Sequence, residues 1–117
     1  RTTKVKMKKK IFCFDIEGVI CNNHKKKNIN YKKSVPNFET IHLINKIYDR
    51  GHKVIIFTSR YMGRNKENKK LAIKQGFKST KKQLKTWGLK YNKLIFGKPS
   101  YDFIIDDRSI DFKKKLA

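Results

Sequence analysis

The chain is poor in acids: nine Asp and Glu stand against 31 Lys and Arg in 117 residues, for a formal net charge of +22. It has two cysteines, Cys13 and Cys21, too few for a disulfide framework. Reduced thiols and a cytoplasmic setting are expected. His24, His42 and His52 are isolated, with no Cys or His at metal-ligand spacing, which argues against zinc. No run approaches the roughly eighteen uncharged apolar residues of a membrane span, so no membrane partner is expected. Arg1 to Lys10 leads into only four apolar residues before Asp15, a poor match to a signal peptide. There is no internal repeat and no flexible linker.

The excess of positive charge invites a nucleic-acid partner. Only five of the basic residues are arginine, however, and the chain is rich in Lys, Asn and Ile. Compositional drift is favoured over a phosphate-reading surface, which tends to use arginine forks. Aromatics do not interleave with the lysines as a stacking platform requires. Either way, the field draws anionic substrates towards the protein.

What is present is a set of four polar clusters, each placed after a short apolar run. Asp15 and Glu17 follow Ile11–Phe14, Thr58 and Ser59 end Val54–Phe57, Lys98 follows Leu94–Phe96, and Asp106–Asp107 end Phe103–Ile105. Such runs read as strands of a parallel sheet buried on both faces. Ligands bind outside the carboxyl ends of such strands, so the four clusters are expected to converge on one edge.

The pattern predicts strands over 10–16, 53–58, 93–97 and 102–106. A helix over about 38–50 is expected from the Asn37 cap, first-turn Glu39, the spacing of Ile41, Ile44 and Ile47, and the stop at Gly51. A second helix over about 66–75 should close at Gly76, a third should run from Ser79 to Trp87, and a short one is expected over 109–116. Residues 1–9 read as a basic tail and 17–35 as a loop, leaving 10–117 as a single α/β domain.

The chemistry follows from residue types. Two carboxylates two apart at a strand end, Asp15 and Glu17, can divide labour between nucleophile and proton carrier. Asp106 and Asp107 repel each other, and a hard cation such as Mg²⁺ would relieve that. Thr58 and Ser59 offer hydroxyls and amides to a phosphoryl oxygen, Arg60 a fork for an anion, and Lys98 a charge beside a phosphate.

Asp15-Ile-Glu-Gly-Val19, Phe57-Thr-Ser-Arg60, Gly97-Lys-Pro99 and Ile104-Ile-Asp-Asp107 resemble the four ordered motifs of the haloacid dehalogenase-like superfamily over roughly residues 10–112. The nearest likeness is to the small cap-less phosphatases of capsular and surface polysaccharide biosynthesis. The resemblance implies a three-layer Rossmann-like fold with no large cap. Asp15 would be the nucleophile that becomes an aspartyl-phosphate, and Glu17 would protonate the leaving oxygen and then activate water. Thr58 would hold the phosphoryl group, with Ser59 and Arg60 as further substrate contacts, and Lys98 would offset charge at Asp15. Mg²⁺ would be held by Asp15, the Glu17 carbonyl and Asp106, with Asp107 assisting. One departure stands out: the family usually has Asp where this chain has Glu17, although a similar start occurs in its enolase-phosphatase branch. The implied activity is a Mg²⁺-dependent phosphomonoesterase acting on a sugar phosphate or similar metabolite. An open site implies a bulky substrate or a lid from a second copy of the chain. A polynucleotide end phosphatase and a non-catalytic module on the same fold are the alternatives.

Overall fold

The structure, a computed structural model, describes residues 8–23 and 27–112. Most of the basic tail and the end of the expected 109–116 helix lie outside the described residues. Seven elements make the frame. Strand β1 is Ile11–Phe14, and β2 (Cys21–Asn22) pairs antiparallel with β3 (Val35–Pro36). Helix α1 (Phe38–Asp49) leads to β4 (Lys53–Thr58), and α2 (Lys69–Thr86) leads to β5 (Lys93–Phe96).

β1, β4 and β5 form one parallel sheet in the order β1-β4-β5, with Phe14 opposite Ile56 and Thr58 opposite Phe96. Ile41 and Ile44 of α1 and Leu84 of α2 meet Val54 and Ile56 of β4 in a single buried cluster with Ile16 and Ile20. Both helices therefore cover the β4 face that carries Val54 and Ile56. The other face is only partly covered: Ile55 and Phe57 are half-buried, while Ile11 and Cys13 are exposed. The runs expected to be buried on both faces are covered on one, so two layers rather than three are seen among the described residues.

The caps explain where the helices begin. Asn37 Oδ1 accepts from Thr40 N at 3.2 Å, and Asn68 Oδ1 accepts from Leu71 N at 3.2 Å. Gly51, at φ +89°, turns the chain into β4.

Three expectations are corrected. The helices placed either side of Gly76 are one 18-residue helix, α2. Gly76 does not stop it; a Cβ there would fall inside the Tyr61 ring, so the glycine lets that ring lie against the helix. Ser79 does not cap; its Oγ donates to the Gly76 carbonyl at 3.2 Å. The third correction is the strand expected at 102–106. This segment forms no strand, and Phe103 and Ile105 are 87% and 98% exposed. Only residues 97–101 separate it from β5, less than half of what a parallel crossover normally takes. The outer edge of β1 is left unpaired by any described strand.

Candidate active site

Asp15 is the first residue past β1, and Thr58 and Lys98 lie at the same carboxyl edge. Lys98 N donates to the Thr58 carbonyl at 3.1 Å, which ties the chain after β5 to the end of β4. From there the Lys98 ammonium comes to 3.4 Å from Asp15 Oδ2. Asp15 Oδ1 accepts from Ile16 N at 2.8 Å. Burial pushes the Asp15 carboxyl above its ordinary value, with Lys98 and the Ile16 N–H working against the rise and Glu17 adding to it. Burial works against the Lys98 charge as well, but Asp15 and the Tyr101 hydroxyl outweigh it and hold the ammonium above its usual range. Lys98 also lies 5.3 Å from the centroid of the Tyr101 ring.

Beyond Asp15 the chain turns sharply. The Ile16 carbonyl accepts from the backbone N–H groups of Val19, Ile20 and Cys21, and Gly18 supplies φ +83°. This turn buries Ile16 and Ile20 completely and throws Glu17 towards α2. There Glu17 meets Arg60. The Arg60 Nε donates to Glu17 Oε1 and Oε2 at 3.1 and 2.9 Å, and a second guanidinium nitrogen is 2.9 Å from Oε2.

Arg60 is 1% exposed. Its other donors reach Gln83 Oε1 at 2.7 Å, Thr80 Oγ1 at 3.3 Å and Cys21 Sγ at 3.7 Å, and its carbon centre lies 4.6 Å from the Tyr31 ring centroid. Burial opposes the guanidinium charge, but the Glu17 hydrogen bonds and charge outweigh it and strengthen its hold on the proton. The Cys21 thiol is pushed up to about 12, first by burial and then by Glu17, so it stays protonated and donates to Glu17 Oε2 at 3.3 Å.

The structure thus brings Asp15, Lys98 and Thr58 to one edge, with Glu17 and Arg60 beside them as a closed pair. Arg60 was expected to contact substrate; instead it is enclosed and committed to Glu17. Thr58 is also fully buried, with Oγ1 accepting from Arg60 N at 3.0 Å, while Ser59 is half-buried. Asp106 and Asp107 lie on the exposed segment after Tyr101, where Asp106 Oδ1 accepts from Arg108 N at 2.9 Å. Among the described residues no three His, Cys, Asp or Glu side chains are gathered so that they could hold a metal ion. As arranged, the acids do not fit a divalent cation: Asp15 and Glu17 each face a cationic side chain, and the other two stand apart. Gln83, Thr80, Tyr31 and Tyr101 complete the site and carry no sequence signal of their own, being ordinary polar or aromatic residues on a helix and in loops.

No family model and no curated protein matches the chain. Among solved structures, the crystal structure of a structural-genomics target from Vibrio cholerae superposes with a TM-score of 0.79 at 21% identity, covering 90% of this chain and 85% of that one. That likeness establishes a shared α/β fold across nearly the whole chain. No helix among the described residues is long and apolar enough to cross a membrane.

Proposed function

We propose that the protein is a phosphomonoesterase of the haloacid dehalogenase-like type, with Asp15 as nucleophile and a sugar phosphate or related metabolite of polysaccharide biosynthesis as substrate. The observation that carries this reading is the Asp15–Lys98 pair at the carboxyl edge of a parallel sheet. A carboxylate alone there would repel a phosphate; the ammonium beside it offsets the charge that gathers as the two approach. Oδ2, the oxygen beside Lys98, attacks phosphorus, and the bond to the leaving oxygen breaks. That oxygen takes a proton as it departs. Water then attacks the phosphorus of the aspartyl-phosphate, releasing phosphate and restoring Asp15.

Ser59 is the hydroxyl of the Thr58–Ser59 pair with access to a phosphoryl oxygen. Glu17 fits the proton-carrying role less well, because Arg60 occupies both of its oxygens. To act there it must loosen at least one of those contacts. The Mg²⁺ that the resemblance implies sets a requirement on the 101–111 segment, which must carry Asp106 and Asp107 to the Asp15 edge. The eight steps along the chain from Lys98 to Asp106 span at most about 26–29 Å when extended.

The test is hydrolysis of an aryl phosphate by the wild-type chain and by Asp15→Asn, with and without Mg²⁺. Loss of turnover in a folded Asp15→Asn variant is expected. Equal turnover in the two proteins would remove Asp15 from the reaction.

A further inference from the structure

Seven of the eighteen residues of α2 are lysine, all of them exposed, and none is acidic. Helix α1, packed on the same face of the sheet, carries Glu39 and Asp49 against Lys46. The two helices therefore bear +7 and −1 (seven lysines and no acid; one lysine less two acids). Drift in composition alone would spread lysine over both. Between the two helices the charge falls on one, although nineteen of the chain's 26 lysines lie outside α2.

The segregation works against the helix itself. Lys70, Lys74, Lys78 and Lys82 repeat at i, i+4, and each such like-charge pair costs about 0.2–0.5 kcal/mol. Lys69 and Lys70 also sit in the first turn, where the dipole disfavours cations. The four lysines make a row about 18 Å long, from twelve residues at 1.5 Å each.

At its Lys82 end this row runs into a cavity of about 470 Å³, lined among others by Tyr31, Lys32, Tyr61, Gln83 and Trp87. That volume falls within the range of small-molecule sites. The cavity joins aromatic walls to cations at its rim, and the row supplies evenly spaced positive charge leading to it. A membrane surface is the poorer partner: an interfacial helix needs an outward apolar stripe, and that of α2 (Ala72, Gly76, Thr80, Leu84) is buried against the sheet.

We propose that α2 and this cavity form a binding surface for single-stranded nucleic acid, with backbone phosphates along Lys70–Lys82 and one base in the cavity beside Trp87. The surface does not depend on the chemistry at Asp15. It differs from a general attraction of anions in having a direction, a length and a terminal pocket. Its phosphate half resembles other single-strand grooves in using positive charge to track the backbone.

The test uses the full chain and a fluorescein-labelled twelve-nucleotide oligothymidylate, with anisotropy read over a salt series. Trp87 is the chain's single tryptophan, so its emission reports the cavity directly. The expected result is saturable binding with a log–log salt slope near −3, from about four phosphate contacts at 0.7 each. Trp87 emission should be quenched in parallel. The double variant Lys74→Glu/Lys78→Glu should bind at least tenfold more weakly, while Lys46→Glu on α1 should change affinity less than twofold. Circular dichroism of each variant confirms that the helices persist. Should Lys74→Glu/Lys78→Glu unfold, Lys74→Gln/Lys78→Gln replaces it, with at least threefold weaker binding expected. Equal losses from the α1 and α2 substitutions would overturn the proposal in favour of diffuse net charge. Binding without Trp87 quenching would overturn the base-in-cavity arrangement. Tighter binding to heparin or to phosphatidylserine vesicles than to the oligonucleotide would identify a different polyanion and overturn the assignment to nucleic acid.

Discussion

Replacing Glu17 by Gln tests the pair that the structure puts next to Asp15. The substitution keeps shape and one acceptor oxygen while removing the charge. It leaves the Arg60 guanidinium, 1% exposed, facing only the neutral partners Gln83, Thr80, Cys21 and the Tyr31 ring. Removing one partner of a buried ion pair costs about 3–5 kcal/mol. The Glu17 side chain is itself 29% exposed, and Gln still accepts one hydrogen bond, so the low end applies. With an unfolding entropy of about 2.1 cal/mol/K per residue, 117 residues give about 0.25 kcal/mol/K. A loss of about 3 kcal/mol then lowers Tm by about 12 °C.

The assay is thermal unfolding of four proteins: wild type, Glu17→Gln, Arg60→Met and the double variant. In the Arg60→Met background no buried guanidinium remains to be stranded. Glu17→Gln should then cost under about 0.5 kcal/mol, leaving a coupling energy above about 2 kcal/mol between the two positions. A Tm shift below about 2 °C for Glu17→Gln, or the same cost in both backgrounds, would refute the view of Arg60 as a buried cation held by Glu17. Single-turnover kinetics on the same proteins separate structure from chemistry. A burst of aryl-phosphate cleavage followed by slow turnover in Glu17→Gln is expected if Glu17 also activates water.

Four further outcomes follow from the site and its frame. If Asp15 is the proposed nucleophile it must be ionised, so its raised carboxyl predicts that the acid limb of kcat/KM lies above the ordinary carboxylate range; a limb at or below the ordinary value of about 3.9 would contradict it. The same shift predicts a stability term that is present below the unfolded carboxyl value and lost as pH rises through the folded one, and urea titrations of Asp15→Asn against wild type should show that slope removed. Gly76→Ala should destabilise by about 1–3 kcal/mol, because the added methyl meets the Tyr61 ring, although alanine is the better helix former; a more stable variant in urea melts would show that the ring moves aside freely. If the 101–111 segment completes a cation site, Asp106→Ala should raise the Mg²⁺ needed for half-maximal turnover more than Asp107→Ala does, and Mn²⁺ binding followed by electron paramagnetic resonance should weaken in the same order.

Much of the frame is legible in the sequence because its determinants are local. The Asn37 cap, the Ile41–Ile44–Ile47 spacing and Gly51 place α1, and the β-branched runs place β4 and β5 within a residue. Asp15 and Lys98 are legible as strand-end residues, and the structure brings them to 3.4 Å. The misread features are decided by contacts far apart in sequence. Gly76 has the look of a helix stop until the Tyr61 ring is seen against it. Arg60 has the look of an anion fork until Glu17, 43 residues earlier, is found in its grip. The run Phe103–Ile105 has every local mark of a strand, and what it lacks is a neighbour.

That missing neighbour connects the fold to the reaction. β1 has no described strand along its outer edge, and Ile11 on it is 68% exposed. Phe103 and Ile105 are more exposed still, and the carboxylates of Asp106 and Asp107 follow them directly. Burying those apolar side chains is worth about 25 cal/mol per Å² removed from water, so closure of the segment over β1 has a driving force independent of any ligand. Opposing it are the ordering of the segment and the repulsion of two more acids arriving near Asp15, where Lys98 is the nearest countercharge. Lys98 cannot neutralise three carboxylates. Were the segment to close in this way, further positive charge would be needed at this edge, as the proposed reaction needs it at the phosphoryl group.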